Sequence, residues 1–321
     1  MNYSVPMRIS FAAPLTTKAL ISPARQKTVT RLAAAWEHAG QTADMGPIAS
    51  FNGGTSFSGS HASLSLAWPD EINPRTAGGW WNRLVPDDAA RVAVSLAVKT
   101  PAGETSVPLL YAVPAPDGAL EQYGGRETVD IRLQDVTAVA ARAIDYPLPF
   151  VNTDTVDPLP AAAAILGNVP HVCLFGTLPV DGCLTRFPNA LAAADDILIR
   201  QQDVQVVAAG LKRIRYGDRN GVIVYRMAED PPIGAPFSAS GRFTEYDFEY
   251  GPHQVHRLIL EGAFLRITTP FINPYVDLTS RIRLIVPRAN LDEVVEVQDI
   301  RWAMNPGQEL MTLKCRRQYT L

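Results

Sequence analysis

The chain has 321 residues, 29 Lys+Arg against 32 Asp+Glu, 47% hydrophobic and 19% charged residues, and 26 prolines. That length holds two or three domains, and that composition excludes a disordered chain. The formal charge of -3 argues against a general nucleic-acid binder, which is usually basic.

Residues 1–17 read as an arm or a first strand. A helix is expected over 22–40. Ser22 can cap it, Pro23 takes its first position, Gly40 ends it, and Val29, Leu32, Ala33 and Trp36 share one face at helical spacing. Residues 46–61 are rich in Gly and Ser and read as a loop or a mobile hairpin. They carry neither GxxxxGKS/T nor GxGxxG, so a plain loop is preferred to a phosphate cradle.

Strands are expected near 62–68 and 91–99. In the second, Val92, Val94, Leu96 and Val98 alternate with Arg91, Ala93, Ser95, Ala97 and Lys99, the period of a strand with one buried face. Between them, Trp80 and Trp81 follow two glycines. They are read as packing or protein-interface anchors in preference to a sugar platform. Residues 100–105 read as a turn that returns through 107–113. In 128–133, Val129, Ile131 and Leu133 oppose Asp130 and Arg132. A short helix is expected from Asp135, as its cap, to about Asp145, ended by Pro147 and Pro149.

Prolines interrupt 151–188, with a short helix expected over 161–166. Asn189 is expected to cap another helix through 190–202. Strands over 204–216 and 222–227 are joined at Asn220-Gly221, a hairpin turn whose two central positions need positive φ. From 241 the pattern is all strand: 242–250, 257–267 with a bulge or bend at Gly262 or Ala263, 278–286, Val295 and Val297, then 310–315. No fixed-period internal repeat is visible.

Candidate chemistry is sparse. His171 and Cys173 with Cys183 form the best metal set, but structural zinc sites place cysteines two to four residues apart and a fourth ligand is missing. Thiols in a loop are the preferred reading, and no metal or cofactor is expected. His253 and His256 would face opposite sides of a strand. No GxSxG elbow supplies a nucleophile. Asp195 and Asp196 lie about 100° apart on a helix and are expected to be solvated. Glu245, Asp247 and Glu249 read as an acidic strand face in preference to a glycosidase pair. The chain is not read as an enzyme. No run reaches the roughly 18–20 uncharged apolar residues of a membrane helix, and no secretory core opens the chain. The three cysteines read as reduced thiols.

Three passages carry a resemblance: TVDIRLQDVTAVAARAIDYPLPF at 128–150, RLILEGAFLRITTPFINPYVDLTSRIRLIVP at 257–287, and VEVQDIRWAMNPGQELMTLKCRR at 295–317. Together they resemble baseplate hub proteins of bacteriophage tails and related contractile injection machines. The resemblance implies a mainly β (β-rich α+β) fold with two tube-like antiparallel β-barrel or sandwich domains and a few short helices. The spans are 1–150 for an N-terminal β domain, 151–203 for a connecting segment and 204–321 for a C-terminal barrel. It also implies a homotrimer forming a pseudo-sixfold ring between the tail tube and the spike, in contact with other baseplate proteins. DNA would pass through its lumen without specific binding. The implied location is the virion tail, assembled in the host cytoplasm. Trp80, Trp81, Phe271 and Tyr275 would be its interface anchors. Some hubs hold an iron–sulfur cluster on four cysteines, a feature not carried over to a chain with three. Two alternatives stand beside this: a β-sandwich that is a carbohydrate-binding module using Trp80 and Trp81 or an enzyme accessory domain, and a distal-tail or tube-like protein in a hexameric ring.

Overall fold

The computed structural model describes residues 8–10, 30–38, 40–57, 59–67, 90–100, 103–122, 128–142, 146–147, 155–181, 186–202, 211–229, 257–269, 272, 276–278, 280–286, 291–305 and 308–317. The first section holds β1 (Arg8–Ser10), β2 (Thr30–His38), β3 (Gln41–Asp44), β4 (Ile48–Ser56), β5 (Gly59–Ala67), β6 (Arg91–Thr100), β7 (Gly103–Gln122) and β8 (Thr128–Gln134). A mixed section follows: α1 (Thr137–Ala140), β9 (Tyr146–Pro147), β10 (Thr155–Val156), α2 (Pro158–Leu166), β11 (His171–Cys173), β12 (Val180–Asp181), β13 (Arg186–Phe187), α3 (Ala190–Leu198), β14 (Leu211–Gly217) and β15 (Ile223–Glu229). The last section is strand alone among the described residues: β16 (Arg257–Glu261), β17 (Phe264–Thr269), β18 (Arg281–Val286), β19 (Leu291–Asn305) and β20 (Gln308–Arg317). The protein is mainly β and antiparallel.

Thirteen strands form one sheet in the order β16-β17-β20-β19-β4-β5-β8-β7-β6-β2-β3, with β18 on β19 and β1 on β18. This order contains a duplication. The run β4-β5-β8-β7-β6-β2 recurs as β16-β17-β20-β19-β18-β1. Details of register follow it. Ser56 pairs with Gly59 across a two-residue turn, and Glu261 pairs with Phe264 across another. β7 pairs β6 along its first half and β8 along its second, and β19 divides itself between β18 and β20 in the same way. Ile131 and Leu133 of β8 match Met311 and Leu313 of β20, and all four are buried. In the second half the last position is filled by the N-terminal arm, since β1 pairs with β18. The halves meet where β4 pairs antiparallel with β19, Phe51 to Ser56 against Met304 to Asp299.

One apolar core runs under both halves, from Trp36, Phe51 and Leu64 to Ile267, Val297 and Leu313. A second gathers α1, α2 and α3 with Ile223 and Tyr225. α2 starts as Pro158 follows Asp157, whose carboxylate accepts from the Leu159 amide at 3.3 Å. Asn189 caps α3, as expected, accepting from the Ala192 amide at 2.8 Å.

The expected helix over 22–40 is overturned: residues 30–38 are strand β2, and 22–29 lie outside the described residues. Ala34 and Trp36 are buried at two-residue spacing, and β6 supplies the hydrogen-bond ladder from Thr30 to Glu37. Three consecutive alanines, 33 to 35, fit either period, so the waiting edge of β6 decides. The Gly/Ser-rich segment is the β4–β5 hairpin at the centre of the sheet. The phase change at Gly262 is a hairpin turn, with Gly262 at φ 62, and not a bulge within one strand. Near Asn220 the turn is wider than expected: Asp218 accepts from the amides of Asn220 and Val222 at 3.0 and 2.8 Å, and Gly221 stands at φ 73. The helix after Asp135 is a single turn, and Asp135 serves it by accepting from the Thr137 amide at 2.7 Å.

Candidate assembly surface

The β4–β19 joint depends on two glycines. A side-chain carbon at Gly54 would stand 2.7 Å from the Ile300 carbonyl oxygen, and one at Gly53 would stand 2.9 Å from Ala62 Cβ. Gly53 lies opposite Trp302, which is buried and stacks on Phe51 with ring centres 6.4 Å apart. A large ring set against a bare backbone lets the strands close to pairing distance. An open groove of about 830 Å³ crosses this joint, lined by Asn52, His61, Ser63, Arg132, Arg301 and Thr312 among others. Its exposed Arg301 is paired with Asp299 at 3.3 Å. Trp302 borders the groove while buried, so it offers no open ring for a sugar to stack on.

The β14–β15 turn fastens both halves. The Tyr111 amide of β7 donates to the Arg219 carbonyl at 2.7 Å, and Gly221 sits so close to Tyr111 that a side-chain carbon there would be 2.7 Å from its ring. Gly217 abuts Asp135 of the first half. From the same turn, Arg219 reaches Asp277 of the second half at 3.2 Å. Tyr111 in turn donates its hydroxyl to Glu37 of β2 at 2.7 Å. Burial and this bond to Glu37 push the Tyr111 hydroxyl up to about 12.

Charged groups are enclosed where the end of β20 meets the turn of β16 and β17. Arg317 pairs with Glu293 at 2.9 Å, with 3% and 4% of their side chains exposed, and also donates to the Gly262 carbonyl at 3.3 Å. Asp195 is not the solvated residue its sequence neighbourhood suggests. It accepts from Arg215 Nε at 3.0 Å and from the Tyr225 hydroxyl at 3.0 Å, tying α3 to β14 and β15. Burial raises its pKa against the opposing pull of Arg215 and Tyr225. Asp196 lies beside it and takes Gln201 at 3.0 Å.

The expected interface anchors Trp80, Trp81, Phe271 and Tyr275 lie outside the described residues, as do Cys183, His253, His256 and the acidic run 242–250. His171 and Cys173 share β11. His171 Nδ1 donates to the Val169 carbonyl at 2.8 Å, and Cys173 Sγ approaches the Phe175 carbonyl at 3.6 Å. Burial pushes the Cys173 thiol up, which disfavours the thiolate a metal needs. Among the described residues, no group of three or more His, Cys, Asp or Glu side chains is placed to hold a metal ion. No helix among them is long and apolar enough to cross a membrane. The joint is what the sequence reading missed, and Gly53-Gly54 between Phe51 and Thr55 was its signal in the sequence. The turn at Asn220-Gly221 was expected, but not its contacts with Tyr111 and Asp277.

No protein-family model matches the chain, and no curated protein matches it. Solved structures do share its fold. The 43 kDa tail protein of prophage MuSo2 from Shewanella oneidensis is similar at a TM-score of 0.54 and 12% identity, over 89% of this chain and 98% of that one. The tail protein from Neisseria meningitidis MC58 is similar at 0.51 and 12%, over 89% and 96%. The E. coli c3393 protein is similar at 0.50 and 9%, over 89% and 78%. It is described as a component of the type VI secretion system with structural similarity to T4 bacteriophage tail proteins gp27 and gp5. The chain has a phage tail baseplate hub-like fold.

Proposed function

We propose that this protein is a structural component of a phage tail or related contractile injection device, the baseplate hub that joins the tail tube to the spike. It acts by assembly, without chemistry, as a homotrimer. The observation that carries this reading is the duplicated strand order within one chain. Three copies then present six similar sheets to a sixfold tube on one side and three repeats to a threefold spike on the other. The sheet-forming parts of 1–150 and 204–321 supply the two tube-like domains and 151–203 connects them, with the first strands of the 204–321 span, β14 and β15, paired to β11 of the connecting segment instead of to the large sheet. Likeness of fold to tail proteins and to a type VI secretion component adds support.

Electron microscopy of assembled particles carrying a labelled copy tests this. The expected result is three copies between tube and spike. Six copies in a ring would reassign the chain as a distal-tail or tube-like protein. A monomer retained on a polysaccharide column, absent from particles, would overturn the structural reading.

A further inference from the structure

We propose that copies of this chain join by pairing β16 of one with the second half of β7 of the next, antiparallel, in the register that β4 and β19 use within one chain. The inference rests on the trimeric hub reading and adds the surface and register that the trimer uses.

The duplication supplies the argument. β4 corresponds to β16 and β19 to β7, so the chain contains a second copy of each side of its own joint. Among the described residues, β16 is bonded only to β17, and β7 beyond Ala112 only to β8. Among the described residues these are two open edges, which an antiparallel sheet exposes at the risk of unwanted pairing. They cannot meet within one chain, because β4 and β19 already occupy the middle of the sheet between them. A joint of β16 to β7 between copies is heterologous and closes a ring if its rotation matches that of the internal joint. Three copies then alternate three internal and three external joints. β16 also displays Leu260 with 43% of its surface exposed, a large apolar side chain next to exposed Glu261.

The register follows from matched pairs over Ala119–Gln122, beyond the register shift of β7 between Pro114 and Ala119. Gln122 pairs with Thr128 as Asn305 pairs with Gln308, so Ala119, Leu120 and Glu121 correspond to Trp302, Ala303 and Met304. Glu261 corresponds to Ser56 through the two hairpin turns. Ala303 lies opposite Asn52 in the internal joint, which sets Leu120 opposite Arg257 of the next copy. Trp302 opposite Gly53 becomes Ala119 opposite Leu258, again small against large.

Oxidative cross-linking of the full chain tests the register. Asn52→Cys with Ala303→Cys is the internal control, expected to give a disulfide within one chain and thereby report an intact sheet. Leu120→Cys with Arg257→Cys is expected to give covalent dimers and trimers on a non-reducing gel, with no species beyond the closed trimer. Each single variant alone is expected to give none, and a mixture of the two to stop at dimers. Leu260→Lys, placed on the open edge, is expected to move the trimer toward monomer at least tenfold in dissociation constant, by light scattering, with an unchanged circular dichroism spectrum. A trimer in solution that forms the control disulfide but no cross-link between copies would overturn this joint and leave the hub reading standing. A monomer at all concentrations, with the control disulfide formed, would overturn both.

Discussion

Tyr111 stands where three segments meet: its amide holds the β14–β15 turn, its ring lies under Gly221, and its hydroxyl reaches Glu37. The folded chain keeps the hydroxyl proton up to about 12, whereas the unfolded chain releases it near 10.0. The contribution is therefore complete below the unfolded value and is lost as pH rises through the folded one. Tyr111→Phe is expected to lose stability less steeply than the native chain over that alkaline window, by urea midpoints at successive pH values. The buried pair of Arg317 and Glu293 makes a second test at this scale. Arg317→Met leaves a carboxylate enclosed without its partner and is expected to cost about 3–5 kcal/mol in urea unfolding. Combining it with Glu293→Leu is expected to recover most of that loss, because the desolvation cost disappears along with the attraction.

At the scale of elements, α3 is held to β14 and β15 through Asp195, whose proton affinity burial has raised. A carboxylate with a raised folded pKa favours its protonated form in the native state. Its contribution is present below the unfolded value and lost as pH rises through the folded one. The stability of the native chain relative to Asp195→Asn is thus expected to fall as pH rises from the acid range toward neutrality, measured by paired urea titrations. Most strands were legible because their alternation is clean: β6, β8 and β20 each bury every second residue across their central positions. β2 was not, because Val29, Leu32, Ala33 and Trp36 satisfy a helical spacing while 33 to 35 are all alanine. Its identity rests on a partner strand some sixty residues away in sequence, where Trp36 pairs with Val92. β4 was hidden by composition. Gly53 and Gly54 are loop-forming by habit, yet here they answer a close strand and a tryptophan ring. Asp195 was misread because helical geometry separates it from Asp196 without saying that Arg215 and Tyr225 would arrive.

Over the whole molecule, the duplication escaped the sequence because no constant spacing carries it. The matched hairpins are separated by differently sized insertions, including the α-helical section, and a matched pair such as Ile131 and Met311 shares burial without identity, while Leu133 and Leu313 share both. The two halves share one core and one ladder, so they are expected to unfold together. Gly54→Val places a branched side chain against the Ile300 carbonyl and is expected to split the single urea transition into two. Tryptophan fluorescence and far-ultraviolet circular dichroism would then give separate midpoints. A single coincident transition at unchanged midpoint would show that the joint bears no coupling.

If the proposed trimer forms, the internal joint also bears on how quickly its ring is made. A ring of six separate sheets needs six encounters between diffusing partners, each limited by concentration. Tethering sheets in pairs through β4 and β19 turns every second encounter into an event within one chain, at a high effective concentration set by the linker and independent of how much protein is present. The proposed ring would then close from three bodies, with one joint in each already made before any two copies meet.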